Sequence, residues 1–140
     1  MTAFQTERTI RFSDCDPAGI VFYPQYFVMF NGLVEDWFNG PLDLGWHRLV
    51  LERQVGLPTV HLEADFKAVS RLGDRVTLSL AVERLGERSL TLDLACHGQA
   101  DRALRMRARQ VIVTTSLVTH QAIPIPSDLR EAIERSANSI

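Results

Sequence analysis

Asp14-Cys15-Asp16-Pro17-Ala18-Gly19 sets two carboxylates and a thiol within three residues, ahead of the aromatics Phe22, Tyr23, Tyr26, Phe27 and Phe30. A carboxyl group with an ordinary pKa of ~3.9 is ionised at neutral pH and can attack an electrophile or take a proton from water. The same residues also make ordinary turns, since Asp bonds nearby backbone through its side chain and Pro and Gly suit fixed backbone angles. Residue types alone leave both roles open for Asp16, and Asp14 reads as a turn or cap residue. Cys15 has no histidine near it in sequence to activate a thiolate, so it reads as a small buried residue.

Cys15 and Cys96 are too few for a disulfide framework, and they and the singly scattered His47, His61, His97 and His120 lack the short spacing of a zinc site. No metal is expected. A net charge of −2 and a pI near 6.1 argue against a broad nucleic-acid footprint. No stretch approaches the roughly 18 apolar residues of a membrane span, and the first residues lack the apolar centre of a secretion signal. The expected setting is the cytoplasm. At 140 residues the chain has the size of one domain with one core, and no repeat or linker divides residues 1–140.

The elements that must position Asp16 follow from periodicity. Tyr26, Phe27, Phe30, Leu33, Val34, Trp37 and Phe38 form a helical stripe, which predicts a helix over about Pro24 to Phe38, stopped by Gly40-Pro41. A shorter helical segment is expected around Trp46 to Gln54, closed by Gly56. Period two then takes over in Val60, Leu62, Ala64, Phe66 and Ala68, in Val76 to Val82, and in Leu90 to Cys96, with a glycine turn at each break. Leu104, Met106 and Ala108 shift to Val111 and Val113, which predicts a bulge near Arg109-Gln110 or burial on both faces. With a short first strand containing Ile10 and Phe12, the expectation is an α+β fold of five strands against one long helix, closed by a helix from Ser127 carrying Leu129, Ala132 and Ile133. Such a sheet has two free edges, so a homodimer or homotetramer is expected.

The segment D-C-D-P-A-G-I-V-F-Y-P-Q-Y, residues 14–26, resembles the hotdog-fold acyl-CoA thioesterases, in particular their 4-hydroxybenzoyl-CoA thioesterase branch. The order of elements matches over nearly the whole chain, while residue-level identity is confined to this motif. The resemblance implies a long central helix wrapped by a five-stranded antiparallel sheet, an acyl-CoA substrate, no cofactor, and active sites at subunit interfaces. It implies Asp16 as the catalytic carboxylate, with the backbone N–H of Tyr23 polarising the thioester carbonyl.

The chemistry agrees, because a thiolate leaves without a strong acid and the reaction needs only a nucleophile and a place for negative charge on oxygen. Free N–H groups and the positive end of the helix would supply that place. Asp16 would form an acyl-aspartyl anhydride or activate a water; both routes stay open. The resemblance further puts Arg88 and Ser89 at the coenzyme A phosphates, although Leu85-Gly86-Glu87-Arg88-Ser89 is less basic than the branch's pattern there. It puts Asn31 where the branch has an aspartate for a ring hydroxyl, so another aryl or a short acyl group becomes plausible. Arg71, Arg84, Arg107 and Arg109 read first as solvated strand charges and His61 as a surface or interface residue. A dehydratase of the same fold needs a histidine at the helix entrance, and residues 12 to 46 contain none. A non-catalytic acyl-CoA or acyl-carrier binding module shares every feature except the need for Asp16.

Overall fold

Apolar residues at period two and at period 3.6 bury one face of each element, and in the computed structural model, which describes residues 3–138, those faces meet in a single layered core. The strands are β1 (Phe4–Thr9), β2 (Val55–Gly56), β3 (Thr59–Phe66), β4 (Arg75–Leu85), β5 (Ser89–Gly98), β6 (Leu104–Val113) and β7 (Thr115–Ser116). The helices are α1 (Tyr23–Asn39) and α2 (Ser127–Asn138). Five strands form one antiparallel sheet in the order β1-β4-β5-β6-β3, and β2 and β7 make a separate two-stranded ladder.

The register aligns inward residues in rows across all five strands. Phe4, Leu80, Leu94, Ala108 and Ala64 are successive partners, and Leu78, Cys96, Met106 and Phe66 form the next row. Against these rows α1 lays Tyr26, Met29, Phe30, Leu33, Val34, Trp37 and Phe38, all buried. The predicted stripe is thus the buried face, except that Phe27 is only partly buried and Met29 joins it. Pro24 sits in the first turn of α1, and the Gly40 N–H bonds to the Asp36 carbonyl where the helix ends. Leu129, Ala132 and Ile133 of α2 are buried as expected, and the Trp37 Nε1–H donates to Ser136 Oγ at 3.2 Å.

Three expectations are corrected. There is no bulge at Arg109-Gln110: β6 pairs with β5 without a break from Leu92 through Ser89, and Gln110 faces inward, its amide donating to Thr59 Oγ1 at 2.7 Å. A buried amide that finds a partner keeps the strand's parity, while Val111 and Val113 lie half-buried on the other face. The first strand ends at Thr9, and Phe12 stands 78% exposed in a 3-10 turn over Phe12–Asp14. The second helical segment ends in a π-helical turn over Arg48–Glu52, after which Gln54 takes the left-handed backbone (φ 52°) and Gly56 is already in β2. In the sheet order, β3 does not neighbour β4; the chain crosses over, and β3 lies beyond β6 as an edge strand.

Candidate active site

The 14–22 segment folds into a small hairpin. The Cys15 and Val21 backbones pair, the Asp16 N–H bonds to the Ile20 carbonyl at 3.0 Å, and the Phe22 N–H bonds to the Asp14 carbonyl at 3.0 Å. Gly19, at φ +78°, makes the reversal, with its N–H on the Asp16 carbonyl. The crossover between β3 and β4 holds this hairpin from outside: Val21 N–H donates to Ser70 O, Leu72 N–H to Gly19 O, and Ile20 pairs with Arg71.

The two carboxylates are placed differently. Asp14 is buried, and its oxygens accept from Arg8 Nη2 and from the Arg11 N–H, each at 2.8 Å, which makes it a structural brace. Asp16 is half-buried; Oδ1 accepts the Ala18 N–H at 2.8 Å, and among the described residues Oδ2 has no partner. Desolvation, reinforced by the Asp14 and Asp16 carboxylates, raises the Cys15 thiol above its usual range, which leaves it protonated and a poor nucleophile.

At the start of α1 the backbone donors can be accounted for one by one. Phe22 N–H is used by Asp14, Pro24 has none, and Gln25 N–H bonds to Phe22 O at 2.8 Å. Tyr23 N–H is left over, with no acceptor among the described residues and at the positive end of a 17-residue helix. Because Asp14 faces Phe22 across the hairpin, Asp16 stands two residues farther from the helix, about 7 Å along the strand. The start of α1 and the Asp16 hairpin are thus neighbours along the chain. Beside the helix start opens a cleft of about 320 Å³ lined by Ile20, Val21, Tyr23, Tyr26, Phe66, Lys67, Ala68, Val69 and Ser70. Asp16 itself does not line this cleft; its hairpin partner Ile20 does.

The floor of the cleft carries a polar network that the sequence did not announce, because the three segments that meet in it, at Tyr26, Val69 to Asp74 and Arg105, are more than 30 residues apart. The Tyr26 hydroxyl donates to Ser70 Oγ at 2.9 Å, and Arg105 Nη1 donates to Val69 O and Asp74 Oδ2, each at 3.0 Å, and to Ser70 Oγ at 3.4 Å. Burial raises the Tyr26 phenol, and it pushes the neighbouring Cys96 thiol up to about 11, so both stay neutral. Asp74 is held below its ordinary 3.8, first by the Arg71 N–H and then by the Arg105 guanidinium. A depressed carboxylate stabilises the fold above its ordinary pKa, and that contribution is lost as pH falls below about 4 toward the folded value. Arg105→Met should therefore cost about 2 kcal/mol at pH 7 and less at pH 3. Thermal melts of both proteins at the two pH values test this, and an equal loss at both would refute the ion-pair account.

The other predicted contacts are not gathered here within one chain. Asn31 is exposed on α1, eight residues or ~12 Å beyond Tyr23. Arg88 lies in the β4–β5 turn and Ser89 opens β5, at the far end of an 11-residue strand, ~35 Å from the crossover that holds Asp16. That turn is fastened instead to the C-terminal part of the fold: Arg130 donates to Gly86 O, Ile125 N–H to Glu87 O and Thr114 N–H to Arg88 O. His61 is exposed and pairs with Glu63 at 2.8 Å, as a surface residue would. Among the described residues no cluster of His, Cys, Asp or Glu could hold a metal ion, and no helix is long and apolar enough to cross a membrane.

The sequence profile of the Thioesterase-like superfamily matches residues 10–133. The chain belongs to that superfamily. Over 133 residues it is 26% identical to a 1,4-dihydroxy-2-naphthoyl-CoA hydrolase of Synechocystis, covering 95% of this chain and 96% of the relative. The crystal structure of a 1,4-dihydroxy-2-naphthoyl-CoA thioesterase from Synechocystis superposes with a TM-score of 0.86 at 26% identity, covering 94% of this chain and 96% of the other. The 4-hydroxybenzoyl-CoA thioesterase from Pseudomonas superposes with a TM-score of 0.84 at 28% identity, over 93% and 98% of the two chains. This thioesterase therefore has the hotdog fold that its sequence motif implied, with α1 as the central helix and the five-stranded sheet as its wrap.

Proposed function

We propose that this thioesterase hydrolyses an aromatic or short-chain acyl-CoA to the free acid and coenzyme A, with Asp16 as the catalytic carboxylate and the Tyr23 backbone N–H as the oxyanion donor. The observation that carries the reading is the Tyr23 N–H left without an acceptor, among the described residues, at the helix start beside an aromatic cleft, with the Asp16 carboxylate in the hairpin that leads into that helix. The relatives named above act on naphthoyl and benzoyl thioesters, which favours an aryl acyl group.

The carbonyl oxygen of the thioester accepts from Tyr23 N–H, so charge builds where the helix is positive. In one route Asp16 Oδ2 attacks the carbonyl carbon, the C–S bond breaks to release coenzyme A as its thiolate, and water then cleaves the acyl-aspartyl anhydride. In the other, Asp16 takes a proton from a water that attacks directly. Neither route needs a metal or an organic cofactor. Residues 1–140 would act as one catalytic domain in the cytoplasm, where both cysteines stay free thiols, as they are in the fold.

A second subunit completes the reading. Among the described residues β3 pairs only with β6, and Val60, Leu62 and Phe66 on it are 60%, 44% and 50% exposed, an apolar strand edge that another copy can cover. In such a dimer or tetramer Arg88 and Ser89 would meet the coenzyme A phosphates of a substrate held by another chain's Asp16, and Asn31 would bond a polar group on the acyl moiety. Release of free thiol from benzoyl-, hydroxybenzoyl-, phenylacetyl- and aliphatic CoA esters, with the mass in solution taken by sedimentation equilibrium, tests this. The expected result is fastest turnover of an aryl ester by a particle of two or four chains. Binding across the panel without turnover would instead make the protein an acyl-CoA binding module.

A further inference from the structure

Lys67 is the only lysine in the chain, and it lies on the wall of the cleft that Tyr23 also lines. It is exposed and, among the described residues, has no acidic partner, whereas Arg105, directly opposite on β6 with its carbonyl accepting the Lys67 N–H at 2.9 Å, is paired to both Asp74 and Asp101. The remaining wall is uncharged: Ile20, Val21, Ala68 and Val69 are apolar, Tyr26 and Ser70 bond each other, and Phe66 packs edge-on to Tyr23 with ring centroids 6.1 Å apart. One unneutralised cation in an aromatic cleft is a specificity element, because it attracts an anionic group and leaves a neutral one without a partner.

We propose that Lys67 selects acyl groups bearing an anionic substituent, a ring carboxylate or an ionised ring hydroxyl, remote from the thioester. The proposal rests on the thioesterase reading above. With the thioester carbonyl on Tyr23 N–H, the pantetheine arm, about three amide-linked units long, sets the coenzyme A phosphates ~10 Å or more from the carbonyl. Lys67 shares the cleft with Tyr23, so the group it meets belongs to the acyl end. The flexible four-carbon stem lets the ammonium follow substituents at different ring positions. It also offsets the repulsion that a second negative charge would meet from Asp16.

The test compares wild type, Lys67→Met and Lys67→Arg on benzoyl-CoA and 4-carboxybenzoyl-CoA. The readout is the ratio of kcat/KM for the carboxylated ester to that for the plain one. Lys67→Met should lower this ratio about tenfold, and Lys67→Arg should largely restore it. A ratio that stays within about twofold of wild type, including an equal fall on both esters from a structural or subunit-contact role, overturns the proposal. If wild type cleaves neither ester, Lys67 is judged instead by calorimetric binding of benzoate and terephthalate, and the thioesterase reading itself fails only if no ester of the wider panel above is cleaved. Terephthalate should bind more tightly than benzoate to wild type and lose that advantage in Lys67→Met; equal loss for both acids would overturn it.

Discussion

Asp16→Asn should lower kcat/KM for the preferred aryl-CoA by about 10²–10⁴-fold while leaving the melting temperature close to that of wild type. The separation of the two readouts follows from the geometry. Among the described residues the one hydrogen bond of the Asp16 side chain is Oδ1 accepting the Ala18 N–H, and an asparagine oxygen accepts the same bond. What the substitution removes is negative charge on the oxygen that nothing else engages, and with it both the nucleophile and the general base. Asp14 provides the contrast. Its carboxylate is buried against Arg8 and the Arg11 N–H, so its loss acts on the hairpin and hence on stability as well as rate. Single-turnover thiol release with thermal melts of Asp16→Asn settles the assignment: wild-type rates would remove Asp16 from the chemistry, and a large drop in melting temperature would reduce it to a turn residue.

What the sequence makes legible is local. The stripe of α1 repeats every three or four residues and the strand alternation every two, so both are written within a dozen residues, and the sharp bend that carries Asp16 is spelled out by Pro17 and Gly19. What it hides depends on partners far along the chain. Nothing in Val60 to Phe66 says that this strand will lie beside Leu104–Val113 rather than beside its sequence neighbour. Gln110 looks like a break in an apolar pattern until Thr59, 51 residues away, satisfies its amide. Ser70 reads as a loop serine, yet Tyr26 and Arg105 converge on its hydroxyl. Arg88 and Ser89 fall at the turn that the motif order implies, but the length of β4 carries that turn to the other end of the sheet, a distance that only the folded strand makes visible.

Phe38→Ala tests the core in the way that Asp16→Asn tests the site, and it should produce the largest loss of stability. Phe38 has no exposed surface, and its ring meets Trp37 and Trp46 edge-on with centroids 5.5 and 4.8 Å apart. Truncation leaves a cavity between two indoles that cannot close without moving α1 or the segment entering the π-helical turn, so the expected cost is about 3–5 kcal/mol. For a domain of this size that corresponds to a fall of roughly 10–15 °C in the melting temperature. Phe38 lies 15 residues, or ~22 Å along the axis, from Tyr23, so the free N–H and the Asp16 hairpin keep their places in the molecules that remain folded. Differential scanning calorimetry should show the loss, while the rate per folded molecule at low temperature stays near that of wild type. A shift of less than about 3 °C would mean that the aromatic cluster is not closely packed. A collapse of the rate in the fully folded protein would mean that the far end of α1 governs the placement of its first N–H.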